Sequence, residues 1–282
     1  MKFNNLKSWG KINLSLNVIK RLPNNYHKIE SLITFLELHD EIKIRRIHTK
    51  EHKISFSGKF SEKIEKKNTI IKLMNLLDKK KIIKGKKFQI KVKKNIPQKS
   101  GMGGGSMNAS CILKHLIKKK IVNLPYKKIR ELVNKIGSDV VLGLEKKNSI
   151  LMKSGRIVRL NKKMNLFTLI VMPKFGCSTH DIFSRVRNFS KSSSFKEKNN
   201  LFTIKNLVRS NNDLESIVFK KYPKIKNLKY FLSTLPNVAF ARMTGTGSAV
   251  VAYFKSKKSA NTASKIFNKK YKKYWYVVSK TI

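Results

Sequence analysis

Cysteine is nearly absent: Cys111 and Cys177 are the only two in 282 residues, far apart and in no CxxC spacing. That excludes a disulfide framework and a cysteine-based metal site, and it is the usage of a reducing compartment. Both read as inert small hydrophobes. Long apolar runs are missing too. The longest, Leu166 to Met172 with Thr168 inside it, falls well short of the roughly 20 residues a membrane helix needs. No signal-peptide core stands at the N-terminus, since Asn13, Ser15 and Asn17 interrupt it. A soluble cytoplasmic protein with no membrane partner is expected. Acids are the third scarcity, with 15 Asp and Glu against 64 Lys and Arg, a net charge of +49. Such a balance invites a nucleic-acid reading, because lysines that neutralise phosphates gain from counterion release. The cations are nevertheless spread along the whole chain, in Lys79-Lys80-Lys81, Lys118-Lys119-Lys120 and Lys269-Lys270, with no separate basic tail. Enrichment in Lys, Asn, Ile and Phe is what A/T-rich codons supply, so no specific nucleic-acid partner is expected. Anions should still be drawn to such a surface, and anionic substrates should meet it faster at low salt.

Glycine is also sparse, at 13 residues, yet four fall in the stretch Pro97 to Ser110, at 101, 103, 104 and 105. Glycines let a backbone enter conformations closed to other residues and bring its N–H groups close to a ligand. Ala109, Ile112, Leu113, Leu116 and Ile117 follow at the spacing of one helix face. A glycine turn feeding a helix N-terminus offers unpaired donors and the positive end of a dipole, which suits phosphate. It is not a Walker A loop, because neither Gly58-Lys59 nor Gly85-Lys86 is followed by Ser or Thr. Nor is it a dinucleotide fingerprint, since Ser106 stands where the third glycine is required.

Two further segments carry pattern. From Ser8 to Val18 polar and apolar residues alternate, which is a half-buried strand with Lys11, Asn13, Ser15 and Asn17 on one face. An edge strand with a solvated polar face would read the same way. From Ala241 to Phe254 a small flexible turn, Met243-Thr244-Gly245-Thr246-Gly247-Ser248, enters an apolar run of strand character. Singly, that could be an ordinary hairpin turn.

Together and in this order the three segments resemble the GHMP kinases. The glycine stretch is similar to the family's Pro-x-x-x-Gly-Leu-Gly-Gly-Gly-Ser-Ser, with Met102 and Met107 replacing Leu and the second Ser, and the last to its Met-Thr-Gly-Ser-Gly. Arg21 to His27 looks like the Arg-x-x-Asp-Gly-Tyr-His of those members that phosphorylate 4-diphosphocytidyl-2-C-methyl-D-erythritol, with Asn24-Asn25 in place of Asp-Gly. Asparagine tolerates left-handed backbone, so a turn there is expected to survive. Gly137-Ser138-Asp139-Val140 is like their Gly-Ala-Asp-Val-Pro, with Val141 where the proline should be. The resemblance runs from Ser8 to about Phe254 and is thinner between 185 and 235.

What the resemblance implies is an α+β GHMP two-domain fold. A ribosomal-S5-domain-2-like ATP-binding domain would span 1–158 and a ferredoxin-like C-terminal domain 159–282. It implies ATP with Mg²⁺, the triphosphate held by the loop (Pro97, Gly101, Gly103, Gly104, Gly105, Ser106) with Ser106 touching phosphate or metal, and Asn68, Ile70 and Lys94 facing adenine. Asp139 would take the acceptor's proton, and Lys11 would lower the hydroxyl pKa and steady the developing charge. Tyr26 and Phe183 would sandwich the cytosine of CDP-methylerythritol, with His27 and Asn13 bonding it or its neighbours and Thr244 and Gly245 completing the substrate side. A homoserine or mevalonate kinase type would keep both glycine loops but have no use for Tyr26-His27. Monomer and homodimer stay open.

Between the motifs, strands are expected at Glu41–Ile47, His52–Phe56, Phe88–Val92, Leu166–Met172 and Trp275–Val278. A helix is expected around Ile70 to Leu77, and another opening at Leu124-Pro125 and closed by Gly137 as its C-terminal cap. Further helical segments fall near Leu214 and Leu228, and Ser190 to Ser194 reads as a mobile loop.

Overall fold

The computed structural model describes residues 2–23, 26–62, 64–65, 67–161, 163–192 and 200–282. In chain order its elements are β1 (Asn4–Arg21), β2 (His27–Ile47), β3 (Lys53–Ser57), α1 (Thr69–Lys79), β4 (Lys87–Lys93), α2 (Gly104–Lys118), α3 (Tyr126–Asn134), β5 (Asn148–Leu151), β6 (Ile157–Leu160), β7 (Phe167–Met172), α4 (Thr179–Ser184), α5 (Ile204–Arg209), α6 (Leu214–Lys221), α7 (Pro223–Ser233), β8 (Val238–Met243), β9 (Val250–Phe254), α8 (Lys257–Lys270) and β10 (Trp275–Lys280). The fold is α+β. Two compact units share the chain: one holds Met1–Gly10, Leu38–Gln98 and Gly103–Lys146, the other Lys11–Glu37, Lys99–Met102 and Lys147–Ile282. Both long strands, β1 and β2, run from one unit into the other. Among the described residues no helix is long and apolar enough to cross a membrane.

In the first unit the far end of β2 pairs antiparallel with β4, Glu41 opposite Lys93 through Ile47 opposite Lys87, and β3 lies parallel on the other side of β4. Alternation sends Ile42, Ile44, Phe88, Ile90 and Val92 to the buried face. Helices α1 and α2 pack on each other, and Leu73, Met74, Leu77, Ile112, Leu113 and Leu116 are fully buried. Each such side chain contributes on the order of 1.5–3 kcal/mol. Helix α3 ends at Asn134 with Lys135 as its cap. Gly137 is therefore not the cap expected from the sequence; it lacks a left-handed backbone and sits in the turn that follows, accepting from Val140 N at 3.1 Å.

One titration follows from this packing. His52 accepts the Phe88 N–H at Nδ1 (3.0 Å), so its proton sits on Nε2, 3.0 Å from Asp78 Oδ2. Burial holds its pKa below the usual 6.5, against the pull of Asp78. Because the folded pKa is depressed, stability is full above pH 6.5. It falls as pH drops below that value, where the unfolded chain takes up the proton first. We expect the melting temperature of His52→Gln to depend less on pH between roughly 5 and 7 than that of the native chain; identical slopes would remove His52 as the cause.

In the second unit β7, β8, β9 and β10 form an antiparallel sheet in the order β10-β7-β9-β8. Leu169, Val171, Val250, Ala252 and Phe254 of this sheet share a core with Leu228 and Leu232 of α7 and Ala260, Ala263 and Phe267 of α8. Burial also pushes both thiols, Cys111 and Cys177, up to about 11, so neither is a ready nucleophile. The solvated polar face considered for β1 is not found: Lys11, Asn13 and Ser15 are buried along with Ile12 and Leu14, and Asn17 is half-buried. Polar partners make this tolerable. Asn13 Nδ2 donates to Ser31 Oγ at 2.8 Å, and Leu32 N donates to Ser15 Oγ at 3.2 Å.

The described part of the expected mobile loop is tethered, with Ser190 N donating to Val18 O at 2.9 Å and Ser192 Oγ to Glu30 Oε1 at 2.8 Å. Ser193 and Ser194 lie outside the described residues, as does the Asn24-Asn25 turn.

Candidate functional site

The glycine stretch does two different things. In the first unit, Gly103 is the N-cap of α2 with φ +66°, and no side chain caps that helix. A left-handed backbone is where glycine costs least. The first helical bond runs from Met107 N to Gly103 O at 2.9 Å, so the amides of Gly104, Gly105 and Ser106 fall among those a helix leaves without partners of its own. No acid stands in the first turn. The result is a concentration of N–H donors at the positive end of a 15-residue helix. Thr69, which the sequence did not single out, steadies it by donating from Oγ1 to Gly105 O at 2.7 Å.

Beneath the loop lies a buried ion pair. Lys94 Nζ donates to Asp40 Oδ2, and Asp40 Oδ1 accepts from Asn95 N at 2.7 Å and Ile96 N at 2.9 Å. A Cβ on Gly104 would come within 3.3 Å of that ammonium and 3.2 Å of Ile96 Cγ2, so the loop is seated directly on the Lys94–Ile96 segment. Pro97 is buried just beyond. Asn68 caps α1, its Oδ1 accepting from Ile70 N and Ile71 N at 3.0 and 3.1 Å, while Ile70 is in the core. Asp139 is half-buried in the turn after α3. That turn adjoins the helix start, since a Cβ on Gly137 would lie 3.8 Å from Ser106 Oγ. Gly143 lets the following turn press onto α2, where a Cβ would meet Ser110 at 2.8 Å and Met107 Sδ at 3.0 Å.

In the second unit the residues 99–102 dock onto the threonine-glycine turn. Ser248 N donates to Lys99 O at 3.2 Å, Ala249 N to Ser100 O at 3.3 Å, and Lys11 N of β1 to Met102 O at 3.1 Å. Thr244 Oγ1 accepts from Asn13 N at 3.0 Å and donates to Gly101 O at 3.4 Å. Lys11 Nζ then donates to Asn13 Oδ1 at 2.8 Å. Lys11, Asn13, Thr244 and Gly245, all buried, thus form one polar cluster with the half-buried Gly101. Segment 211–213, which carried no motif, and Arg242, at the start of the third sequence segment, support it. Nearby, the His27 ring lies 5.2 Å from Phe183 and 6.4 Å from Phe189, while Tyr26 is exposed. Burial, helped by Arg21, keeps the imidazole pKa below 6.5. His27 Nε2 is buried and meets no partner among the described residues.

Among those residues no group of three His, Cys, Asp or Glu side chains is placed to hold a metal ion. Mg²⁺ does not need one, because it commonly binds through one or two carboxylates plus substrate phosphates. Ser106 and Asp139 are oxygen donors of the right kind beside the helix start.

The family described as "GHMP kinases N terminal domain" matches residues 68–146, and "GHMP kinases C terminal" matches 194–273. The chain is 47% identical over 277 residues, 98% of each chain, to the 4-diphosphocytidyl-2-C-methyl-D-erythritol kinase of Pelagibacter ubique strain HTCC1062. The chain belongs to the GHMP kinases. A second relative of the same name, from Buchnera aphidicola subsp. Schizaphis graminum, is 35% identical over 268 residues, covering 91% of this chain and 87% of its own. The GHMP fold is shared with the crystal structure of a 4-(cytidine 5'-diphospho)-2C-methyl-D-erythritol kinase, with a TM-score of 0.78 at 20% identity over 98% of this chain and 99% of that one. L. major mevalonate kinase in complex with R-mevalonate gives a TM-score of 0.71 at 13% identity, over 99% and 96%.

Proposed function

We propose that the chain transfers the γ-phosphoryl group of ATP to the 2-hydroxyl of 4-diphosphocytidyl-2-C-methyl-D-erythritol, a step of the non-mevalonate route to isoprenoid precursors. The observation that carries the phosphoryl-transfer chemistry is the uncapped glycine start of α2 with the Asp139 turn against it. The choice of acceptor is supported by the identity to the Pelagibacter enzyme along both whole chains.

Phosphoryl transfer needs charge neutralisation, alignment and a group at the attacking hydroxyl. The N–H groups of 103–106 bind the triphosphate, with Pro97 and Gly101 shaping the loop; of the three residues expected at adenine, Asn68 lies half-buried at the start of α1, while Ile70 is in the core and Lys94 is paired with Asp40. Asp139 accepts the proton of the 2-hydroxyl, whose oxygen attacks the γ-phosphorus as the bond to the β–γ bridging oxygen breaks and ADP leaves. The Lys11 ammonium favours the ionised hydroxyl and offsets the negative charge that develops. Mg²⁺, held by the phosphates with Ser106, supplies further charge neutralisation when bound.

On the acceptor side, Tyr26 and Phe183 flank the cytosine, while Asn13, Thr244 and Gly245 line the remainder. His27, neutral and with Nε2 awaiting a partner, hydrogen-bonds the base. Phe189 extends the aromatic wall. For the division near residue 158 into an ATP-binding domain and a C-terminal domain, the two family matches fall on either side, while the compact units interleave across it, with Lys11–Glu37 and Lys99–Met102 belonging to the second. A reducing, cytoplasmic setting is supported by the two free cysteines. We assign the active species as a monomer or homodimer.

A coupled ADP-release assay tests the reading, with diphosphocytidyl methylerythritol set against homoserine and mevalonate. Turnover confined to the first is expected; preference for either of the others overturns the acceptor. A base stacked on an aromatic ring is worth about 1–3 kcal/mol. Tyr26→Ala should therefore raise KM for the cytidine substrate roughly 5- to 150-fold and leave KM for ATP unchanged. If both constants rise alike, Tyr26 is structural.

A further inference from the structure

We propose that Asn212 is a positioning residue for this phosphoryl transfer, holding the Thr244 turn so that Asn13 and the Lys11 ammonium keep one geometry; the proposal rests on the role assigned to Lys11 above. Asn212 is buried just before α6. Its Nδ2 donates to Met243 O at 2.9 Å and to Gly245 O at 2.8 Å, and its Oδ1 accepts from Leu214 N at 3.1 Å. Both N–H donors of the amide are thereby engaged, and its oxygen as well.

The two carbonyls it holds are those on either side of Thr244. Fixing both peptide groups fixes the threonine between them, and with it the hydroxyl that accepts from Asn13 N at 3.0 Å. Asn13 in turn accepts from Lys11 Nζ at 2.8 Å. The same segment grips β1 from its other flank. Leu16 N donates to Asn211 O at 3.0 Å, Asp213 N to Leu16 O at 2.8 Å, and Val18 N to Asp213 Oδ2 at 2.7 Å. A short connecting segment thus ties the strand that carries the lysine to the turn that orients it. Asparagine suits this position because its amide brings two donors to two carbonyls, whereas aspartate would set a carboxylate against both. Glu215 completes the arrangement, its Oε1 accepting from Met243 N at 2.8 Å.

The test is a double-mutant cycle in the full chain, comparing Asn212→Ala, Lys11→Ala and the pair by steady-state kinetics at a temperature well below melting. Asn212→Ala is expected to lower kcat about tenfold, with KM for ATP within about twofold. Asn212→Ser, which keeps one donor, should lower kcat about threefold. A residue that acts through Lys11 has nothing left to act on once the ammonium is gone, so the double variant should be no slower than Lys11→Ala alone. A merely structural role would lower the melting temperature and would not cancel in the cycle. Additive losses, or an unchanged kcat in Asn212→Ala, overturn the positioning role while leaving Lys11 in place. Full activity in Lys11→Ala overturns the assignment of Lys11 and this proposal with it. If Asn212→Ala does not fold, the same cycle run with Asn212→Ser decides.

Discussion

Asp139→Asn should lower kcat at least about a hundredfold, the scale for losing a general base, with nucleotide affinity nearly unchanged. The substitution keeps the size and shape of the side chain and removes its negative charge, and with it the capacity to take a proton. The surrounding turn is held by its backbone, through Val140 N to Gly137 O and Leu142 N to Asp139 O, both at 3.1 Å, so the loop should survive the change. Helix α2 and its unused amides are not touched. Single-turnover ADP release gives the chemical step, and titration with an unhydrolysable ATP analogue gives the affinity. A variant that keeps its rate takes Asp139 out of the mechanism; one that loses nucleotide affinity as well makes it part of the ATP site instead.

Gly101→Ala is expected to be the most damaging single-methyl change in the chain. Gly101 has φ +79°, and a Cβ there would fall on the Thr244 carbonyl oxygen and within 2.9 Å of its carbon. That carbonyl cannot swing aside, because it also accepts from Gly247 N within the turn, at 3.0 Å. Gly155 provides the comparison: its φ is +78°, yet nothing lies within 4 Å of its would-be Cβ. Gly155→Ala should cost only the backbone strain, about 1–2 kcal/mol. Gly101→Ala should add the displacement of a packed turn, for a total of roughly 3 kcal/mol or more, or about 6–12 °C in melting temperature. Equal losses in the two variants would show that the close approach to Thr244 carries no weight.

Much of this was legible in the sequence, and for physical reasons. Ile70 to Leu77 and Phe88 to Val92 fell where their periodicities put them, because one buried face imposes its repeat on the chain, and the apolar run Leu166 to Met172 became a strand buried on both faces. The glycine stretch declared a helix start, and Gly103 is its cap. What escaped was set by distant partners. Nothing local says that the polar face of β1 is buried, since that depends on Ser31, Thr244 and Arg242 arriving from elsewhere. The 21-residue length of β2 was hidden because its first half alternates poorly, being buried on both faces from Glu30 to Leu36. Gly137 looked like a helix cap because glycine often is one, but α3 stops earlier. Asn212 and Arg242 carried no signal of their own: an asparagine in a polar run and an arginine in a chain with 64 cations become informative only once their hydrogen bonds are seen.

The interleaving of the chain limits how this protein can be taken apart. Severing it after residue 158 yields an amino-terminal piece that still holds Lys11–Glu37 and Lys99–Met102, both belonging to the second unit. The carboxy-terminal piece then lacks the strand on which segment 211–213 closes. Such fragments should regain structure and turnover only when mixed, as complementing halves of one polypeptide and not as separable modules.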